Sequence, residues 1–414
     1  MTRRVLVVGG GASGMMAAGR AAEVGAGVVL LEKTPRLGNK LRLTGKGRCN
    51  LTNQSELADF IAHFRETGPF LYGAFSRFFV QDLISFFQAR GVPTIVERGG
   101  RVFPVSNDAL QVVDSLEGYL LSTGVSVQRR VPVERIIVQG GQVRGVAAKG
   151  RELPAAGVIL AAGGASYPKT GSTGDGYRLA AELGHRIIPI RPALVPLIAV
   201  DGWVKDLQGV SLRNVQVTVL LENGPLAQET GEMLFTHFGV SGPVILSLSK
   251  TAVDAATKGK VSLALNLQPA LSAEELDDEL RRALGEHGRR QLGGVLADIL
   301  PAKIAQVITA SLRIPPEKPS HQVTAAERHR LTALVRDLRI TIKGARPIAE
   351  AIVTAGGVDT REVNPRTMES RLVRGLYMCG EVLDIDADTG GYNLQAAFST
   401  GYVAGESAAR AVTS

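Results

Sequence analysis

The chain has 414 residues, 45% of them hydrophobic and 21% charged, a globular composition too long for one ordinary core. Two cysteines exclude a disulfide framework and point to reduced thiols in a cytoplasmic protein. The net charge of +8 permits a polyanionic partner without requiring one.

Arg3 and Arg4 lead only into Val5–Val8, and no run approaches 18 apolar residues, so neither a leader nor a membrane span is expected. Arg4–Val8 reads as a buried parallel strand. It runs into Gly9-Gly10-Gly11-Ala12-Ser13-Gly14, a G-x-G-x-x-G spacing, then a small-residue helix from Ser13 to about Val24. A second strand, Gly27–Leu31, ends at Glu32 and is followed by Lys33. Gly9 allows the tight turn, Gly11 lets a pyrophosphate approach the backbone, and Gly14 lets helix and strand pack closely. The helix start offers free N–H groups to phosphates, and Glu32 suits ribose hydroxyls. Strand, turn, helix, strand and acid in this order predict a dinucleotide site, without separating FAD from NAD.

Further along, residues 35–53 read PRLGNKLRLTGKGRCNLTN, residues 100–106 GRVFPVS and residues 162–177 AGGASYPKTGSTGDGY. Residues 235–243 read FTHFGVSGP, 375–384 GLYMCGEVLD and 388–393 DTGGYN. Together these motifs closely resemble the HI0933-like (BaiN/RdsA-like) family of bacterial flavoproteins, from the N-terminus to about Gly405. The resemblance implies an α/β Rossmann-type FAD-binding domain of the two-dinucleotide-motif kind, with an inserted β-rich subdomain and a helical subdomain. The implied boundaries are 1–191 for the first part of the FAD domain, 192–269 for the β-rich part and 270–340 for the helical part. Residues 341–414 would return through the β-rich part and complete the FAD domain. The resemblance also implies reduction of conjugated C=C bonds, in a 23S rRNA uridine or a bile-acid enone, while some relatives look like amine oxidases acting on aminoacetone.

For the site, Val158–Ala162 reads as a strand ending in Gly163-Gly164, which lets the chain pass close to a cofactor. Thr173 and Gly174 precede a helix from about Tyr177 to Leu183. Leu376–Cys379 reads as a strand whose end carries Gly380 and Glu381, and the family pattern puts that acid against the ribityl hydroxyls. Gly390, Gly391, Tyr392 and Asn393 open a helix through Gln395–Ala408, whose N-terminus would favour an anionic reduced flavin. Arg48 and Asn50 are cofactor contacts favoured by the family pattern, and Lys33, Lys40, Cys49, Val133, Thr173 and Gly174 are further expected contacts. Lys46 has no definite role.

Reduction of an enone needs a proton donor as well as a hydride donor. The candidates are Cys49, with Arg48 beside it to lower its pKa unless it is a packed thiol, His237, which the family pattern places over the flavin unless it is structural, and the phenols of Tyr167 and Tyr392. Cys379 reads as core. His63, His185, His287, His321 and His329 lack a metal-like spacing, so no metal is expected. No second G-x-G-x-x-G unit appears. NAD(P)H would therefore bind only transiently as electron donor, or another carrier would deliver electrons.

In the insertion, Val195–Val200, Val215–Leu221 and Lys260–Leu267 read as strands, with a turn at Glu222-Asn223-Gly224. Capping boxes at Ser272–Glu275 and Thr324–Glu327 start two helices, and Pro301–Leu312 forms another between them. From Arg281 to Arg346 there are thirteen Lys or Arg against five Asp or Glu. This is either a solvated helical face or a platform for the phosphates of rRNA. No named RNA motif and no aromatic residues for base stacking accompany it. A small-molecule substrate and a flavin-stabilised RNA-binding protein without turnover stay open as alternatives, and the oligomeric state is not readable.

Overall fold

The computed structural model describes residues 4–222, 224–286 and 288–413. Arg3, Asn223 of the expected turn and His287 lie outside the described residues. The chain divides into two compact units, residues 1–193 with 348–414, and residues 194–347.

The first unit is built on a five-stranded parallel sheet. Its strands are β1 (Arg4–Val8), β2 (Gly27–Glu32), β3 (Ser126–Arg129), β4 (Gly157–Leu160) and β5 (Leu376–Met378). Their spatial order is β5-β4-β1-β2-β3, so the C-terminal strand returns to the sheet begun by the N-terminal one. Val5, Val7, Ile159 and Leu160 are fully buried, as expected where both faces of a parallel sheet are covered. A crossover helix, α1 (Ala12–Glu23), packs against the C-terminal helix, Tyr392–Thr413. The two approach at backbone distance. A Cβ on Gly401 would lie 2.4 Å from the Ser13 carbonyl oxygen, and one on Gly405 2.3 Å from that of Ala17.

Glu406 clamps the far end of that pair. Its carboxylate accepts from Arg20 at 2.8 Å and Arg410 at 3.0 Å, and also from Arg77, while its side chain is 6% exposed. Burial opposes its ionisation, but the Arg20 hydrogen bond and the surrounding arginine charges outweigh burial and hold it below the usual carboxylate range. A depressed carboxyl contributes stability above its ordinary titration range and loses it as pH falls through the held-down value. Glu406→Ala is expected to cost about 2 kcal/mol at neutral pH, because it removes a buried carboxylate shared by three arginines, two of them largely exposed to screening solvent. The cost should shrink toward acid pH in denaturant titrations, and an equal cost at every pH would contradict this account.

The second unit is a closed six-stranded barrel with helices. Its strand order is 197–199, 239–241, 224–236, 211–221, 261–266 and 338–345. Pro243–Ala256, Ala273–Glu286, Leu292–Ile299, Ala302–Leu312 and Ala325–Arg336 are the main helices. Both expected capping boxes form: Ser272 and Glu275 exchange bonds of 2.8 and 3.1 Å, and Thr324 and Glu327 bonds of 2.8 and 3.2 Å. Barrel residues such as Val217 and Leu263 share one apolar core with helical residues such as Leu276, Leu296 and Ile304. The β-rich and helical parts expected as separate subdomains are therefore one body, whose last barrel strand is Leu338–Ala345.

Candidate functional site: a dinucleotide cradle at the sheet's carboxyl edge

The carboxyl ends of β1, β4 and β5 converge where each strand breaks into glycine. Gly9 has φ +107°, and a Cβ there would lie 2.4 Å from the Ala161 carbonyl oxygen. At Gly14 a Cβ would lie 1.9 Å from the Gly9 oxygen, so strand turn and helix touch through backbone alone. Gly11 differs, because nothing lies within 4 Å of a Cβ placed on it. It is the N-cap of α1 and has no capping side chain, which leaves the N–H groups of Ala12, Ser13 and Gly14 facing that space.

Glu32 ends β2 beside this opening. Gly10 N–H and Thr34 N–H each donate to it at 2.7 Å, one to each oxygen, which leaves lone pairs on both. Val131 N–H donates to the Glu32 carbonyl at 2.9 Å, and Val133, half-buried, begins the strand Val133–Gln139.

After β4, Ala162, Gly163 and Gly164 cross to the β5 side. A Cβ on Gly164 would meet Thr354 Oγ1 at 2.4 Å and the Glu381 carboxyl carbon at 2.8 Å. Glu381 follows Gly380, whose own close neighbour is Ser13 Oγ. The Glu381 carboxylate accepts from Lys40 Nζ at 2.6 and 2.9 Å and from Thr354 N–H at 2.8 Å, and Lys40 also donates to Ser166 Oγ at 2.6 Å. Lys40 and Glu381 are thus brought together, and Thr354 and Ser166 join them. Thr354 is buried in a strand whose sequence carries no motif, so sequence reasoning missed it.

At the third edge, Gly390 and Gly391 have φ +142° and +106° and lead into the C-terminal helix. A Cβ on Gly391 would lie 2.4 Å from the Thr52 carbonyl oxygen. Three buried oxygens in these elements have no partner among the described residues: Asn50 Oδ1, Thr52 Oγ1 and Gln395 Oε1. Such orphaned acceptors are rare, and they suit a ligand that carries N–H and O–H donors. Open space at the helix start, glycine walls and unpaired acceptors together fit a flavin dinucleotide.

Several expected contacts are turned to other partners. Lys33 donates to Thr173 Oγ1 and Asp175 Oδ2, both at 2.5 Å, rather than toward the cradle, and Gly174 caps the short helix Asp175–Ala181. Arg48 pairs with Glu97, donates to Asn107 at 2.7 Å and stacks on Phe103 at 4.1 Å. Asn393 accepts from Ala387 N–H and donates to its carbonyl, both at 2.9 Å, so its side chain ties its own loop.

Of the two readings of Cys49, the structure favours the packed thiol over the activated one. It is fully buried, and burial pushes it up to about 12, with only a Thr44 hydrogen bond opposing. Arg48 is engaged with Glu97 and does not offset this. Cys379 is likewise buried and pushed up to about 12. Both thiols should resist alkylation in the native protein and react once it is unfolded. Rapid native modification of Cys49, read by mass spectrometry, would contradict that burial.

Tyr392 is buried, with its hydroxyl 3.4 Å from Ser55 Oγ. Burial raises its phenol, helped by the charges of Asp388 and Asp59. Its ring stacks on His63 at 3.9 Å. Tyr167 has φ +49°, strained for a tyrosine, just before the turn Pro168–Thr170. His237 lies in the second unit, exposed on the turn after Thr236, with its ring against Phe238. His185 is buried, with Glu362 and Ser370 on its two nitrogens.

The basic stretch of the second unit is largely answered within that unit. Arg281 pairs with Asp278, Arg290 with Asp298, Lys318 with Glu327, Arg328 with Asp277 and Arg339 with Asp337. Arg330 and Arg336 donate to carbonyls of Leu312 and Leu271. Over residues 194–347 there are eighteen Lys or Arg against sixteen Asp or Glu, a net of +2. The excess counted from Arg281 onward begins just after the acids that neutralise part of it.

Residues 3–407 match the model of the HI0933-like protein Rossmann domain. Along 98% of this chain and 99% of its own length, a 3-dehydro-bile acid delta(4,6)-reductase of Clostridium scindens is 34% identical. A ribosomal RNA dihydrouridine synthase of Escherichia coli is 30% identical over 96% of each chain. In fold, the chain resembles a 3-ketosteroid delta1-dehydrogenase from Sterolibacterium denitrificans, with a TM-score of 0.52 at 16% identity, covering 99% of this chain and 100% of that one. With redox enzymes matching it end to end and a cradle that fits FAD, the chain is an FAD-dependent oxidoreductase. It belongs to the HI0933-like family, as its ordered motifs anticipated.

Proposed function

We propose that this oxidoreductase reduces a conjugated C=C bond, with a uridine of 23S rRNA as the favoured substrate and dihydrouridine as the product. The observation that carries this reading is the full-length match to relatives named for saturating such bonds, combined with a cradle whose glycine walls and open helix start fit FAD. Bound FAD would supply the hydride chemistry. The α1 N-terminus and Gly11 would hold the pyrophosphate, Glu32 the adenosine ribose, and Glu381 with Lys40 the ribityl chain. Asn50, Thr52 and Gln395 would accept hydrogen bonds at the pyrimidine end, where the C-terminal helix N-terminus favours negative charge.

NAD(P)H is the proposed reductant, binding transiently in a cytoplasmic protein. Arg282, Arg289, Lys303, Arg313 and Lys343 are exposed, with no partner among the described residues, and would meet RNA phosphates. A second reading, a small-molecule enone reductase, is favoured by the modest +2 of residues 194–347 and by the bile-acid relative. Mass spectrometry of rRNA nucleosides from strains with and without the gene separates the two. Loss of one dihydrouridine on deletion supports rRNA, and an unchanged nucleoside profile removes it.

A further inference from the structure

We infer that His63, held by Asp388, is the residue that protonates the substrate carbon. The inference rests on the C=C reductase reading above. His63 follows the helix Leu57–Ala62, ten positions beyond Asn53, where the motif at 35–53 ends. Its Nδ1 lies 3.1 Å from Asp388 Oδ2, and Arg65 approaches the other Asp388 oxygen at 3.4 Å. Its ring lies flat on Tyr392, at 3.9 Å and 22°. Tyr392 in turn meets Phe60 edge-on at 4.7 Å and opens the C-terminal helix directly after Gly390 and Gly391. The imidazole is thus fixed in plane by one contact and in rotation by the other, at the mouth of the glycine turn.

What distinguishes His63 is what remains free. Nε2 has no partner among the described residues, and the side chain is 34% exposed. His185, the other histidine of this unit, is bonded at both nitrogens and its side chain is wholly buried, which marks it as structural. The sequence-derived donors of the same unit are less suited. Cys49 is sealed in the core, and the Tyr392 hydroxyl is turned toward Ser55. An imidazole with one nitrogen on a carboxylate and the other open is a recurrent arrangement for proton transfer near neutral pH.

In the step, the substrate π bond is replaced by two C–H bonds. Hydride, with its electron pair, passes from reduced flavin to the β-carbon. The Nε2 proton passes to the α-carbon, leaving neutral His63, which water reprotonates. The substrate is reduced by two electrons and the flavin oxidised by two, with the nicotinamide dinucleotide restoring them. Among the described residues Asp388 and Tyr392 contact His63, Arg65 shares Asp388 with it, and the charge of Asp59, on the preceding helix, acts on Tyr392.

The test is anaerobic single turnover of the reduced holoprotein against a 4-en-3-one steroid and an unmodified 23S rRNA fragment, in wild type, H63Q and D388N. Flavin reoxidation in H63Q should slow by about 100-fold or more and lose the wild-type decline with rising pH. D388N should slow by about 10-fold. Flavin reduction by NAD(P)H, and binding of the saturated product to the oxidised holoprotein followed by flavin absorbance, should stay within about 2-fold of wild type in both. Wild-type reoxidation rate and pH profile in H63Q would overturn the role of His63 and leave the reductase reading intact. Parallel loss of product binding and rate would also overturn it, showing a binding role instead. If H63Q fails to retain FAD, D388N decides by the same criteria. Wild-type enzyme that neither probe reoxidises would overturn the reductase reading and this assignment with it.

Discussion

Gly11→Val is expected to leave the protein folded but weaken FAD binding by about 100-fold, roughly 2.7 kcal/mol. Two facts separate fold from ligand at this position. The backbone is ordinary for any residue, with φ −82°, and among the described residues no atom beyond the two chain neighbours lies within 4 Å of an added Cβ. A valine Cβ therefore meets no atom of the chain beyond its immediate neighbours, yet stands in the space in front of the α1 N–H groups. Gly14→Val is the matched contrast. Its Cβ would overlap the Gly9 carbonyl oxygen at 1.9 Å, so it should disrupt the α1–β1 contact and the fold itself. Thermal unfolding of the apoprotein and FAD titration give the two readouts. Equal unfolding in both variants, or normal FAD affinity in Gly11→Val, would contradict the cradle.

The second large effect concerns Lys40 and Glu381. Their side chains are 24% and 19% exposed, so the pair is partly desolvated and solvent screening trims its worth. Glu381→Ala leaves the Lys40 ammonium with only Ser166 and leaves the Thr354 N–H without its acceptor. The expected cost is about 2 kcal/mol in the apoprotein, below that of a fully buried pair. Lys40→Met in the Glu381→Ala background should restore about half of it, because the stranded charge is gone. FAD affinity should fall in Glu381→Ala and stay low in the double variant, since the acceptor is missing in both. Recovery of FAD affinity with recovery of stability would contradict a direct contact between Glu381 and the cofactor.

Much of this architecture was readable before the structure. Arg4–Val8 and the glycine run carry their meaning locally, because a parallel strand, a turn and a helix start each need only neighbours in sequence. The helix Leu292–Ile299 was not read, since Gly293 and Gly294 look like a turn; Gly293 instead packs closely on Pro316. Barrel closure was hidden for another reason. Leu338–Ala345 pairs with both Leu197–Ala199 and Val261–Asn266, contacts set by the tertiary fold and not by any local pattern.

At the site, residue type did not reveal direction. Lys33 and Lys40 are both basic residues near the cradle, yet one turns to Asp175 and the other to Glu381. Cys49 was judged by its neighbour Arg48, whereas burial dominates its chemistry. Nothing in the sequence near His63 points to its role, because its partner Asp388 stands 325 positions away. The charge excess from Arg281 onward depended on where counting began, and the acids of the helix Ala273–Glu286 restore the balance.

The central claim is that the cradle's cofactor delivers electrons to a conjugated C=C bond. The direct measurement is anaerobic mixing of the reduced holoprotein with 23S rRNA fragments or a conjugated enone, following flavin absorbance and product mass together. The account predicts flavin reoxidation matched one-to-one by a product carrying two added hydrogens. Flavin that stays reduced with both substrates, and reoxidises only when oxygen is admitted, would contradict it.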